Sequence, residues 1–369
     1  MKTLAFGAVL IALLAAREGV AQEKKSWTDN LSLSGDTRFR FQNTEEEGKE
    51  GRERWRFRGR LSLKATVSEE VTAGIRVVTN TGDPVSDNQT MSGAFDDKDA
   101  RFDRAFFTWT PVSDLSLTFG KMAQPWISVS DLIFAGDVNP EGLALGYRIK
   151  GDKATLALNG GAFVVEERSS AAETSLYSGQ ASARINTGGK NYLLVGASIY
   201  AYNHVEGFGL LYNPANSFGN STRKTTQVVD GKEVETLLYA NEYTLVEAFA
   251  EAGFDVGLPL TVGVQYVVNT EADSDDTGYL GQITLGRARD AGTWAFGYQY
   301  RYLEKDAILG VFGESTDFGS GSNVKGHIPF VQYAITKNFD VKAQYAFGQK
   351  GVDNGKDIET FKIDLSAKF

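Results

Sequence analysis

The chain has 369 residues, 42% of them hydrophobic and 23% charged, with a formal net charge of −9. So much apolar and aromatic side chain excludes a disordered chain, and the acidic balance speaks against a nucleic-acid partner. With no Cys there is no disulfide or thiolate site, and the one run resembling a membrane helix, Leu4 to Ala16, is too short to span a bilayer. Gly is abundant at 40 residues, Phe (23) and Tyr (15) dominate the aromatics, and Pro is scarce at 7. That combination suits many consecutive strands joined by tight turns.

Residues 1–21 read as a signal peptide. Lys2 is the positive start, Leu4 to Ala16 the apolar stretch, and Gly19-Val20-Ala21 the small-x-small cleavage site before Gln22. Arg17 and Glu18 are a mild departure from that pattern. The mature domain is then 22–369, exported and still acidic. Its first segment sets Leu31, Leu33, Phe39 and Phe41 on one face against Ser32, Ser34, Asp36, Arg38 and Arg40 on the other. The next sets Trp55, Phe57, Leu61 and Leu63 against Arg54, Arg56, Arg58, Arg60 and Lys64. A period of two sustained this long predicts strands, since a helix would spread the arginines around its circumference.

The same alternation predicts further strands near 71–79, 102–110, 115–121, 142–149, 153–165, 175–185 and 191–202. Others follow near 243–254, 258–269, 277–287, 293–303, 326–335, 339–349 and 358–369, sixteen in all. The separators alternate: short ones such as 68–70, 111–114, 150–152 and 336–338 fall between long polar ones such as 80–101, 122–141, 203–242 and 304–325. This is expected if successive connections cross opposite rims of a cylinder. Broad apolar rows such as Trp294, Phe296, Tyr298, Tyr300 and Tyr302 would face lipid, leaving the polar face to line a lumen. Lipid tolerates no unpaired backbone, so the sheet must close on itself, and sixteen strands enclose an aqueous channel. The predicted fold is all-β, a transmembrane antiparallel barrel of about sixteen strands.

In the last segment Phe361, Ile363, Leu365, Ala367 and Phe369 alternate with Lys362, Asp364, Ser366 and Lys368. This resembles the terminal strand of bacterial outer-membrane proteins, which implies that Phe369 belongs to the signal read by the barrel assembly machinery. Two further stretches, Arg54-Trp-Arg-Phe-Arg-Gly-Arg-Leu-Ser-Leu63 and Asp137-Val-Asn-Pro-Glu-Gly-Leu-Ala-Leu145, carry a resemblance to the sixteen-stranded porins, and most to the family called putative porins. The resemblance implies an outer-membrane channel among lipid and lipopolysaccharide, a homotrimer, and a third long loop folded into the lumen. By count that loop is 122–141. It is apolar for an external loop (Met122, Trp126, Ile127, Val129, Leu132, Ile133, Phe134), but it lacks the acid-rich signature of some general porins, retaining Asp131, Asp137 and Glu141.

Function then turns on the lumen charges. Arg38, Arg40, Arg54, Arg56, Arg58, Arg60, Arg76 and Arg104 fall at inward positions on four consecutive strands and form a basic wall. Guanidinium groups stay charged and demand water, counter-ions or carboxylates nearby. Expected partners are Asp131, Asp137 and Glu141 on the loop, and Asp36 and Asp103 on the wall. Glu247 and Glu251 on the tenth strand would also face inward. The reading is a channel for passive diffusion of small hydrophilic solutes and ions. The first alternative is an anion- or phosphate-preferring porin with an arginine ladder, which the resemblance to phosphate-selective porins implies. The second is a non-conducting surface barrel whose long loops adhere or anchor. No enzyme chemistry, cofactor or metal site is expected: His204 and His327 lack partners for catalysis, and the acidic run 271–278 lacks calcium-loop spacing.

Overall fold

The computed structural model describes residues 27–229 and 232–369; the leader read at 1–21 lies outside them. The alternating segments become strands β1 (Leu31–Glu46), β2 (Arg52–Thr66), β3 (Val71–Thr79), β4 (Ala100–Val112), β5 (Leu115–Lys121), β6 (Glu141–Lys150), β7 (Ala154–Glu166) and β8 (Thr174–Gly188). The second half supplies β9 (Asn191–Asn203), β10 (Thr244–Asp255), β11 (Pro259–Asn269), β12 (Thr277–Gly286), β13 (Trp294–Leu303), β14 (Val324–Thr336), β15 (Phe339–Lys350) and β16 (Lys356–Lys368). Each pairs antiparallel with its sequence neighbours, and β1 pairs with β16, so the sheet closes into a barrel.

Mostly long loops and mostly short turns alternate between the rims, as the separators predict, although the loops 47–51 and 351–355 are shorter than the turn 287–293. The long side carries L1 (47–51), L2 (80–99), L3 (122–140), L4 (167–173), L5 (204–243), L6 (270–276), L7 (304–323) and L8 (351–355). Two differences from the expected elements have clear causes. β1 runs to Glu46 rather than stopping near Phe41, because Asn43 to Glu46 pair with Ile358 to Phe361 although their side chains no longer alternate. L5 contains a hairpin of its own, Thr222–Val229 against Lys232–Tyr239, which rises from the rim.

Parity places the side chains. Trp55, Phe296 and Phe361 are exposed on the outer wall, where lipid would cover them, whereas Arg40, Gln42, Lys362 and Asp364 are buried inside. The principal apolar core also lies inside the barrel. It joins L3 (Trp126, Leu132, Phe134) to L5 (Leu210, Leu211) and L7 (Ile308, Leu309), and its buried wall members come from β6 through β16. Inward glycines are roofed by rings of neighbouring strands: Phe249 lies over Gly196, Tyr192 over Gly253 and Phe330 over Gly297. Such rings restore the packing that a missing side chain forfeits.

At the seam the amide of Gly35 donates to the carbonyl of Phe369 at 3.0 Å, and the amide of Phe369 donates to the carbonyl of Gly35 at 3.0 Å. A Cβ at Gly35 would stand 2.5 Å from the Arg60 carbonyl and 2.5 Å from the Phe369 ring. Gly35→Ala should therefore destabilise the barrel by about 1–3 kcal/mol through overpacking at closure. Gly59→Ala, where the new Cβ would meet only a Thr79 methyl at 3.7 Å, should change little. Urea unfolding of the refolded barrels, followed by heat-modifiable mobility, would show equal midpoints if the seam does not require this glycine.

Candidate functional site

The basic wall forms because the inward parity of β1 to β4 brings arginines into register. Arg38 stands opposite Arg58, Arg40 opposite Arg56, and Arg76 opposite Arg104. Directly opposed like charges are unfavourable in a sheet, so the arrangement persists only with carboxylates set among them. Asp364, brought beside β1 by closure, accepts two bonds from Arg40, from Nε at 2.6 Å and from a terminal nitrogen at 2.7 Å. Asp36 accepts from Arg58 at 2.6 Å and from Arg60 at 2.8 Å. Arg76 donates Nε at 2.9 Å to Asp103, on which its terminal nitrogen also closes.

Asp103 and Arg104 are consecutive, and in a regular strand only one could face inward. A register shift in the β3–β4 pairing inserts Asp103 as an extra residue, so both reach the lumen side. Arg104 donates at 2.7 Å to the side-chain oxygen of Asn139, whose amide donates at 3.1 Å to Asp103. All eight predicted arginines are thus on one wall, but they divide into two groups. Arg40, Arg58, Arg60 and Arg76 have carboxylate partners at hydrogen-bonding distance. Arg38 leans on Asn88 at 2.7 Å, with Asp364 at 3.9 Å. Arg56 makes long bonds of 3.4–3.5 Å to Gln42, Ser86 and the Asn88 carbonyl, and Arg54 has no hydrogen bond or ion pair among the described residues.

The predicted loop acids are dispersed. Asp137 meets the wall, accepting from Arg60 at 3.2 Å. Asp131 does not: the L3 path carries it to the far side, where it pairs with Arg301 of β13. Glu141 begins β6 and is held by Lys121 of β5 at 2.5 Å, so it too is not an arginine partner. L3 runs along inward side chains: the Ile127 amide donates to Gln180 at 2.7 Å, Gln282 donates to the Val129 carbonyl at 2.6 Å, and Ser130 bonds Gln265. Glu247 sits beneath this layer, only 2% exposed, accepting from Ser198 and Gln265 at 2.5 Å each and from Tyr200 at 3.1 Å. It faces inward as expected, but L3 and the wall cover it, leaving a buried carboxylate held by three donors. Glu251 remains half-buried and accepts from Tyr192 at 2.6 Å.

Several charged groups of the interior lie outside the predicted set. Asp364 could have been found from closure, since an inward acid on the last strand must neighbour β1. Asp87 on L2 had no periodic signal. That loop folds inward, Gln89 and Thr90 pairing with Phe57 and Arg56, and sets Asp87 3.6 Å from Arg60. Burial, with the charge of Asp137 beside it, pushes the Asp87 carboxyl up to about 6. L7 is fastened to the wall beside the seam by Asp317, which accepts from Lys362 of β16 at 2.5 Å and from Gln344 of β15 at 2.7 Å. Burial would raise the Asp317 carboxyl, but Lys362 and Arg301 outweigh it and hold the group below the usual carboxylate range.

The interior therefore has an apolar side filled by packed loops and a charged side bordered by β16 and β1–β4. Comparisons with solved structures return barrels of this shape. OprB of Pseudomonas putida at high pH has a TM-score of 0.59 at 11% identity, over 92% of this chain and 94% of that one. OmpF of Salmonella typhi in complex with daunomycin has a TM-score of 0.55 at 11% identity, over 93% and 99%. A triple mutant of the Rhodopseudomonas blastica porin has a TM-score of 0.51 at 10% identity, over 92% and 100%. At these identities the likeness is one of fold. No curated protein matches the chain. The model of the family described as "Putative porin" matches residues 41–227 and 242–369, most of the chain, and with the closed barrel in view the conclusion is direct: the chain belongs to this porin family of the outer membrane.

Proposed function

We propose that this chain forms a water-filled channel through which small hydrophilic solutes and ions diffuse passively. The carrying observation is the inner wall of β1 to β4, where eight arginines face inward and Arg54 and Arg56 have no carboxylate partner, an arrangement that requires water and mobile ions beside it. Family membership supports a channel rather than an enzyme. L2 and L3, lying against inward side chains, would narrow the passage, with Asp137 and Asp87 opposite Arg60 as its acidic border. Export through the leader at 1–21, insertion by the assembly machinery through the strand ending at Phe369, and a homotrimer among lipid and lipopolysaccharide complete the reading. The anion-preferring alternative is weakened as a continuous ladder, because carboxylates neutralise Arg40, Arg58, Arg60 and Arg76. An adhesive barrel has no use for a hydrated basic wall.

Single-channel recording in planar bilayers under a salt gradient tests the channel. Conductance is expected, in steps of three if trimers insert, and folded protein without conductance would remove the reading. Replacing Arg54, Arg56, Arg58 and Arg60 by Gln should lower the anion-to-cation permeability ratio by about two- to tenfold. An unchanged reversal potential would show that these groups do not border the ion path.

A second expectation follows from Asp87. Burial and the Asp137 charge push its carboxyl up to about 6, above its ordinary value of 3.8, so it is largely charged at pH 7 and largely neutral at pH 5. In the folded state it holds more protons than the unfolded chain between those two values. The L2 arrangement therefore gains stability as pH falls through about 6. Neutralising it removes a negative charge beside Arg60, so selectivity should move toward anions between pH 7 and pH 5. Asp87→Asn should show the pH 5 selectivity at both values; a variant that keeps the wild-type pH response would assign the titration elsewhere.

A further inference from the structure

Along β2 the arginines nearest the long loops are the ones without carboxylates. They border a cavity of about 360 Å³ at the loop end of β1 and β2, under L1, L2 and L7. Lys49, Arg52, Arg54, Arg56 and Lys350 line it, against the three acids Glu46, Glu50 and Asp83, leaving the lining positive. Glu46 is already engaged by Lys49 at 2.7 Å. The Nε atoms of Arg54 and Arg56 are buried without a hydrogen-bond partner, and the hydroxyls of Thr44 and Ser315 border the same space. An excess of guanidinium charge in a partly desolvated pocket is unfavourable until an anion enters, and hydroxyls complete the donor set such an anion needs.

We propose that this cavity is an oxyanion-binding site at the channel mouth, holding solutes with a phosphate or carboxylate group through Arg54 and Arg56. Arg52 and Lys350 raise the local potential, and the neutralised arginines deeper in the lumen hold such a solute less strongly, so that it can move on. The inference rests on the channel reading for its role in uptake, but not for the binding itself.

The test is calorimetric titration of the full-length folded barrel in detergent with inorganic phosphate, succinate and chloride, beside bilayer recording of the same preparations. Saturable binding of phosphate, succinate or both is expected, and whichever binds identifies the source of the oxyanion. Arg54→Gln with Arg56→Gln should weaken that binding by about tenfold or more. Arg54→Lys with Arg56→Lys, which keeps the charge but not the planar fork, should lose about threefold and carries the test if the glutamine pair does not fold. A conducting barrel that binds neither oxyanion, or a glutamine pair that binds as tightly as the parent, overturns the site. Saturable binding by a barrel that does not conduct keeps the site and removes the channel.

Discussion

The structure depends on one constraint: a backbone surrounded by hydrocarbon must pair every N–H and C=O with another strand. Sixteen strands satisfy it only because β16 returns to β1, along a ladder running from Asp36–Lys368 to Glu46–Ile358. Closure then fixes what each side chain meets. Alternate residues are sent to lipid or to the interior, and an open-sheet solution that could hide apolar rows between two layers is unavailable. The apolar core is consequently formed by loops that enter the cylinder, L3, L5 and L7, against the inward residues of β6 to β16.

The charged side follows from the same parity. Two strands with arginine at successive inward positions must oppose arginine with arginine, and the remedy is to interleave carboxylates from wherever the fold can deliver them. Asp36 comes from the strand beside its arginines, Asp103 from a bulge, Asp364 across the seam and Asp137 from L3. No carboxylate pairs with Arg54 among the described residues, so compensation is uneven along β2, strong at Arg58 and Arg60 and weak toward the loop end.

How much of this was legible in the sequence varies with the physics involved. Period-two alternation is a local signal, so all sixteen strands and the inward direction of the eight arginines could be read directly. Side-chain partners across long connections could not. Asp131 sits in the same apolar loop as Asp137, and nothing local says that Asp137 turns toward Arg60 while Asp131 crosses to Arg301. The inward fold of L2 was equally silent, since Asp83 to Thr90 is a polar run that reads as solvated. Arg104 beside Asp103 violated strict alternation, and that violation was itself the trace of a bulge.

The seam has a consequence for assembly. In the native pairing Arg40 faces Asp364 and Asp36 faces Lys368, two complementary pairs on one inner face. A slip of one residue would turn every side chain of the last strand to the wrong face. A slip of two residues in one direction would set Arg40 against Lys362 while passing Asp364 to Arg38, and in the other would set Arg38 against Lys368, so either slip trades native complementary pairs for a like-charge one. The charges of the first and last strands thus favour the native register once β16 lies beside β1.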